Sequence, residues 1–388
     1  MIDRIKELAS IYFDEIVKIR RHLHQYPELS FHEKETSVYI KSVLKKWKIP
    51  FTDGIAETGI VVVLEGNNPE TKTLALRADF DALPIQEENN ILYISKNNGV
   101  MHACGHDAHT SSLLGTIKIL NTIKADWTGS IKFIFQPAEE MLPGGAQQMI
   151  KEGVLENPRV ETIIGQHVFP DLEKGKVGFC PGKYMASTDE LHITVRGKGG
   201  HAALLEQYNN PLLPASKLVL ELDMCFKKYQ EIPSVLAIGF IQGLGSTNVI
   251  PDSIILKGTL RTMDEKFRKK AHNKMLEISN TISRLYDVEI NFDIRKGYPC
   301  LINNDKVTKK SIAFAKEYIG GENVVDLRIR MTAEDFSYYS QIIPSCFYRL
   351  GTANTEKGIT YGLHNSKFNI DEEALEIGMG LMAYLAIK

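Results

Sequence analysis

The chain has 388 residues, 43% of them apolar and 24% charged, an ordinary make-up for a globular protein, and its length exceeds what a single hydrophobic core usually holds, so two domains are expected. A formal net charge of −2 with no long basic run argues against nucleic-acid or anionic-membrane partners. The N-terminal segment is charged, no run of about 18 apolar residues occurs, and the five scattered cysteines lack framework spacing, so a cytoplasmic, reducing location is expected.

In chain order, a first helix is expected over residues 3–24, ended by Pro27, and a second over 33–47. Short β-rich runs follow at 59–64, 73–77, 131–135 and 161–165, with helix-period segments at 110–120 and 145–150 between them. That alternation predicts an α/β domain with a mostly parallel sheet. From about residue 185 the pattern changes to strand 190–196, helix 214–229, strands 234–240 and 254–260, helix 264–286 and strand 288–292. The order βαββαβ is the ferredoxin-like arrangement and is complete in itself. It predicts a second domain at 185–295, inserted into a first domain formed by 1–184 and 296–388.

Chemistry concentrates in the segment Val100-Met101-His102-Ala103-Cys104-Gly105-His106-Asp107-Ala108-His109. Imidazole and thiolate suit borderline-soft divalent ions, and Gly105 lets the backbone bend so that its neighbours converge. Alone, such a stretch would be read as a polar loop with one buried cysteine. Three other segments add candidate ligands: Gln136-Pro137-Ala138-Glu139-Glu140, Gly165-Gln166-His167 and Gly362-Leu363-His364-Asn365. Asp79 and Asp81 follow one predicted strand, Glu139 and Glu140 a second, and His167 ends a third, the edge at which open α/β sheets place their sites. Adjacent glutamates such as Glu139 and Glu140 are also common at solvated helix starts. Cys180, Cys225, Cys300 and Cys346 read as small core residues. His22, His24, His32, His192 and His272 read as surface or helix-packing residues, and His102 and His109 as neighbours of the site or supports of its ligands.

Eight motifs occur in one order along nearly the whole chain: Arg20-Arg21-x-Leu23-His24-x-x-Pro27-Glu28-Leu29, Arg77-Ala78-Asp79-x-Asp81-Ala82-Leu83-Pro84, Cys104-Gly105-His106-Asp107, Gln136-Pro137-Ala138-Glu139-Glu140, Gly199-Gly200-His201-Ala202-Ala203, Asn248-Val249-Ile250-Pro251, Glu334-Asp335-Phe336 and Leu363-His364. This series resembles the dinuclear-metal N-acyl-amino-acid amidohydrolases. They are the branch of the zinc aminoacylase and carboxypeptidase superfamily that includes hippurate hydrolases, auxin-conjugate hydrolases and N-acetyldiaminopimelate deacetylases. The resemblance implies an α/β, phosphorylase/hydrolase-like metallopeptidase catalytic domain carrying an inserted ferredoxin-like α+β lid domain. It implies Cys104, His106, Glu140, His167 and His364 as ligands of two divalent ions, zinc or manganese ahead of cobalt or nickel, and Glu139 as the catalytic base. Asp81 then orients a ligand or the bridging group. Peptidase relatives have a histidine at the position of Asp79 and an aspartate at that of Cys104, so this pattern marks the amidohydrolase branch.

The resemblance also implies that His201 donates to the oxyanion, often from the lid of a second subunit, which predicts a homodimer or higher homo-oligomer; Asn248 would help to hold the substrate. Arg261, at a lid strand end, reads either as a partner for a substrate carboxylate or as a structural arginine. A thiolate and one carboxylate against two divalent ions leave a net positive centre suited to activating water. The expected reaction is hydrolysis of a small N-acyl amino acid, N-acetyl or aromatic acyl, to a carboxylate and a free amino acid. The alternatives are a metallo-dipeptidase or carboxypeptidase of the same superfamily, which the Asp79 and Cys104 pattern disfavours, and a non-catalytic metal-containing binding protein, which would have no use for Glu139 beside a ligand.

Overall fold

The computed structural model describes residues 1–229 and 231–388. Two compact units emerge, the first made of residues 1–182, 302–328 and 335–388, the second of 183–301 and 329–334. The boundaries therefore differ by a few residues from those expected, and 329–334 belongs to the second unit rather than the first. Backbone pairing is the reason: the Ala186 amide donates to the carbonyls of Arg330 and Thr332, each at 3.1 Å.

The first unit is built on an eight-stranded sheet in the order Thr52–Ile55, Gly59–Glu65, Ser130–Gln136, Thr73–Asp79, Thr162–Glu173, Ser345–Ala353, Val177–Phe179, Val324–Asp326. Its four middle strands run parallel. Ser130–Gln136 and Ser345–Ala353 are buried along their whole lengths, the signature of strands covered on both faces. The sequence pattern missed Ser345–Ala353, where Arg349 and Thr352 interrupt the apolar run. Helices Ile2–Gln25, His106–Thr122 and Ala374–Ile387 pack against one another in the main core, with Leu8, Ile16, Leu113, Ile117, Leu375 and Met379 all buried. Among the described residues, no helix is long and apolar enough to cross a membrane.

The second unit holds a four-stranded antiparallel sheet ordered Ser234–Gln242, Ser253–Thr262, Ser187–Arg196, Glu289–Lys296, with helices Leu212–Phe226 and Glu265–Tyr286. This strand order, with βαββαβ connectivity, is the ferredoxin-like topology. Along Ser187–Arg196 alternate residues are buried, so one face presents Leu191, Ile193 and Val195 to Leu218, Leu222, Phe267 and Met275. Asp264 caps the longer helix, its side chain accepting from the Phe267 amide at 2.8 Å. Of the cysteines, Cys180, Cys300 and Cys346 are buried, whereas Cys225 is only half-buried against this core.

A buried ion pair also pins the second unit. Arg268 Nε donates to Asp189 Oδ2 at 3.0 Å, its Nη2 donates to the carbonyls of Thr188 and Gly297, and His272 Nε2 lies 2.6 Å from Asp189. Asp189→Ala leaves that guanidinium buried without its main carboxylate. A loss of about 3–5 kcal/mol is expected for this unit in urea unfolding; an unchanged midpoint would show that the pair is replaced by water at no cost.

Candidate metal centre

Strand ends and one helix start converge in the first unit. Thr73–Asp79 ends at Asp79 and leads to Asp81, Ser130–Gln136 leads to Glu139 and Glu140, and Thr162–Glu173 carries His167. His167 lies inside its strand rather than at its end; the neighbouring strand pairs only as far as Arg77 opposite Gly165, so His167 sits where that edge opens. Helix His106–Thr122 begins right after Gly105, whose φ of +81° is left-handed and whose missing Cβ would lie 2.4 Å from Val168 Cγ2. Gly105 thereby brings Cys104 and His106 against the strand that carries His167.

The five expected ligands come together. Cys104 Sγ is 3.5 Å from His167 Nε2, His364 Nε2 is 3.3 Å from Glu140 Oε1, and His106 Nε2 is 3.9 Å from the same oxygen. Donor atoms of Cys104, His106 and His167 lie within 4.8 Å of one another, as do those of Cys104, Glu140 and His364. These two trios share Cys104 alone. Further close groups are His106 with Glu139 and Glu140, and Asp79 with His106 and His109.

Three comparisons bear on this arrangement. The model of the peptidase family M20/M25/M40 matches residues 75–388. The chain belongs to that family. An N-acyl-L-amino acid amidohydrolase of Geobacillus stearothermophilus is 38% identical, the match covering 78% of this chain and 82% of that one. An N-acetyl-L-cysteine deacetylase of Bacillus subtilis is 36% identical over 93% of this chain and 85% of its own, and a thermostable carboxypeptidase 2 of Saccharolobus solfataricus is also 36% identical, over 100% and 98%. Among solved structures, a Bacillus subtilis protein described as a dinuclear metal binding peptidase from the M20 family superposes with a TM-score of 0.81 at 33% identity, covering 97% of this chain and 98% of that one.

The hydrogen bonds around these side chains in this M20 family member are specific. Asp81 Oδ1 is 3.1 Å from His106 Nδ1, while its Oδ2 accepts from Ser30 Oγ at 2.7 Å and from the Glu140 amide at 2.9 Å. One carboxylate thus holds both the His106 ring and the Glu140 backbone. His167 Nδ1 donates to the Val168 carbonyl at 2.7 Å, leaving Nε2 toward Cys104. Asp79 is occupied by Arg77 Nη1 and His109 Nδ1, both at 2.6 Å, and His109 Nε2 accepts the Val168 amide at 2.9 Å. His109 is therefore neutral, and it ties Asp79 to the strand of His167.

These residues fit divalent cations. His106 Nε2 and Glu140 Oε1 are buried without hydrogen-bond partners, which native interiors rarely tolerate. Burial, followed by the carboxylates of Glu140, Glu139 and Asp79, pushes the Cys104 thiol well above its ordinary range. A neighbouring cation is what would hold it as thiolate. Burial works to lower His106, but Asp79, Asp81 and Glu140 outweigh it and raise it to about 10, so this anionic cluster attracts positive charge.

Several participants went unread in the sequence. Glu139 Oε1 accepts from the Asp335 amide at 3.3 Å, and the Asp335 carboxylate is gripped by Arg77 Nη2, Gln136 Nε2 and the Ala146 amide at 2.6–2.9 Å. The motif Glu334-Asp335-Phe336 was the available signal. His24, expected as a surface or helix-packing residue, is fully buried: its Nδ1 lies 2.8 Å from Asp107 and its Nε2 3.1 Å from Glu87, with Arg20 Nε donating to Asp107 at 2.8 Å. His102 is buried with neither ring nitrogen hydrogen-bonded, and burial pushes it down to about 4.

The second unit carries the other three expected residues. His201 is exposed on a two-residue strand whose register sets it opposite Val249, and the Ala202 amide donates to the Asn248 carbonyl at 2.9 Å, so His201 and Asn248 are neighbours. Arg261 lies on strand Ser253–Thr262 opposite Thr188 and Val235, and is half-buried.

Proposed function

We propose that this chain hydrolyses the amide bond of small N-acyl amino acids, N-acetyl or aromatic acyl, using two divalent metal ions, zinc or manganese ahead of cobalt or nickel. The observation that carries the proposal is the pair of ligand trios meeting at Cys104, with Glu139 beside Glu140. Cys104, His106, Glu140, His167 and His364 are the residues that would hold the ions. When bound, the ions would supply the positive charge that activates water and polarises the amide carbonyl. Glu139 then takes a proton from the attacking water. As the carbon–nitrogen bond breaks, it returns that proton to the leaving nitrogen, giving a carboxylate and a free amino acid. Asp81 keeps His106 and Glu140 in place throughout.

On this reading the second unit is a lid: His201 donates to the developing oxyanion, Asn248 holds the substrate, and Arg261 pairs with its carboxylate. The protein would be cytoplasmic and a homodimer or higher homo-oligomer, assembled through the second unit. The identity to a thermostable carboxypeptidase supports a second reading, cleavage of peptides by the same residues. Assay of acylated amino acids against dipeptides and blocked peptides, with each of the four metals, tests the choice. Preferential turnover of the peptides would displace the N-acyl amino acid reading.

If His201 reaches the site of a partner subunit, His201→Ala and Glu139→Gln chains, each inactive alone, should regain part of their activity when mixed, because each hybrid dimer contains one site with both groups. Proven subunit exchange without recovered activity would place His201 in its own chain's site or outside the mechanism.

A further inference from the structure

We propose that Glu33 is a positioning residue for Glu139: its buried carboxylate holds the left-handed turn at Ala138 from which the base is presented. The proposal rests on the reading of Glu139 as the base, and Glu33 belongs to none of the ligand groups. Glu33 immediately precedes helix Lys34–Lys46 and has no exposed surface. Its Oε1 accepts the Ala138 amide at 2.8 Å, and its Oε2 takes a longer bond of 3.4 Å from Thr58 Oγ1.

Ala138 has a φ of +53°, a conformation in which the Cβ of an L-residue crowds the backbone. Such a residue stays in place only when its surroundings over-determine it. Here the Ala138 amide is bound by Glu33, and its carbonyl accepts from the Gly145 amide at 2.9 Å. The turn is too tight for a side chain at Gly145, whose Cβ would lie 1.9 Å from the Pro137 carbonyl oxygen. Downstream, the Glu140 amide is held by Asp81 and the Glu139 carboxylate by the Asp335 amide. Without Glu33, the buried Ala138 amide has to find another acceptor or swing away, and the resulting change in the Ala138 dihedral angles re-aims the next peptide group, which leads into Glu139.

What Glu33 supplies is an acceptor at the right reach rather than a charge. Burial and the nearby Asp81 push it up to about 7, so the neutral form is populated near neutrality, and a glutamine can offer the same oxygen to Ala138 while donating to Thr58. Reach and charge can therefore be separated by Glu33→Ala, Glu33→Gln and Glu33→Asp.

Amide hydrogen exchange at Ala138 in metal-free protein, thermal midpoint, metal content, kcat and KM are measured for the full chain. Glu33→Ala and Glu33→Asp are expected to speed Ala138 exchange at least tenfold and to lower kcat roughly 10- to 100-fold, with KM within about threefold and metal content retained. Glu33→Gln should keep both exchange and kcat near the parent values. If Glu33→Ala does not fold, the comparison of Asp with Gln decides. An active Asp variant beside an inactive Gln variant, or unchanged Ala138 exchange in Glu33→Asp, would overturn the proposal. If the parent enzyme hydrolyses no amide at all, the base reading falls, while the exchange data still decide whether Glu33 holds Ala138.

Discussion

Glu139→Gln is expected to lower turnover by roughly 10²-fold or more while leaving the metal content of the parent protein intact. The substitution keeps the shape of the side chain and an oxygen that can accept from the Asp335 amide, so the loop stays where it is. It removes only the ability to take up a proton at the working pH. Glu140 makes the contrast informative, because it differs from Glu139 in environment though adjacent in sequence: its amide is bound to Asp81, and its Oε1 lies 3.3 Å from His364 and 3.9 Å from His106. Replacing Glu140 should strip metal, with activity falling as a consequence. Parallel metal analysis and kinetics on the two variants separate the roles, and a Glu139→Gln enzyme with parent turnover would falsify the base assignment.

The second large effect concerns Cys104. Its sulfur is the one donor common to both trios, so Cys104→Ala is expected to lose metal and activity together. Alkylation tests ligation without mutation. In metal-loaded protein the sulfur's lone pairs would be engaged and labelling slow; after chelation, labelling of Cys104 should accelerate. The side chain is only 7% exposed, so the comparison is made between the two states of the same residue rather than with a surface thiol. Equal labelling rates with and without metal, read by mass spectrometry of the peptide containing Cys104, would remove it from the ligand set.

Much of the centre was legible in the sequence because metal chemistry restricts both residue type and short-range spacing. Cys104 and His106 flank a glycine that must be left-handed, and Glu139 and Glu140 follow a buried strand at once; each of these pairs is a local feature. The ferredoxin-like order of the second unit was equally readable, since alternation along Ser187–Arg196 and the helical period of Glu265–Tyr286 are set by which faces must be buried. The tertiary structure alone decided how these side chains are held. Glu33 meets Ala138 across 105 positions, Arg77 meets Asp335 across 258, and residues 329–334 join the second unit through hydrogen bonds donated by the Ala186 amide. His24 is buried rather than at the surface, the packing half of its two readings, and its partners Glu87 and Asp107 lie 63 and 83 positions away. Hydrogen bonds between such distant groups impose no period and no spacing on the chain. Their partners are chosen by which strand ends and loops the packed sheet brings within about 3 Å, and that choice exists only once the core has formed.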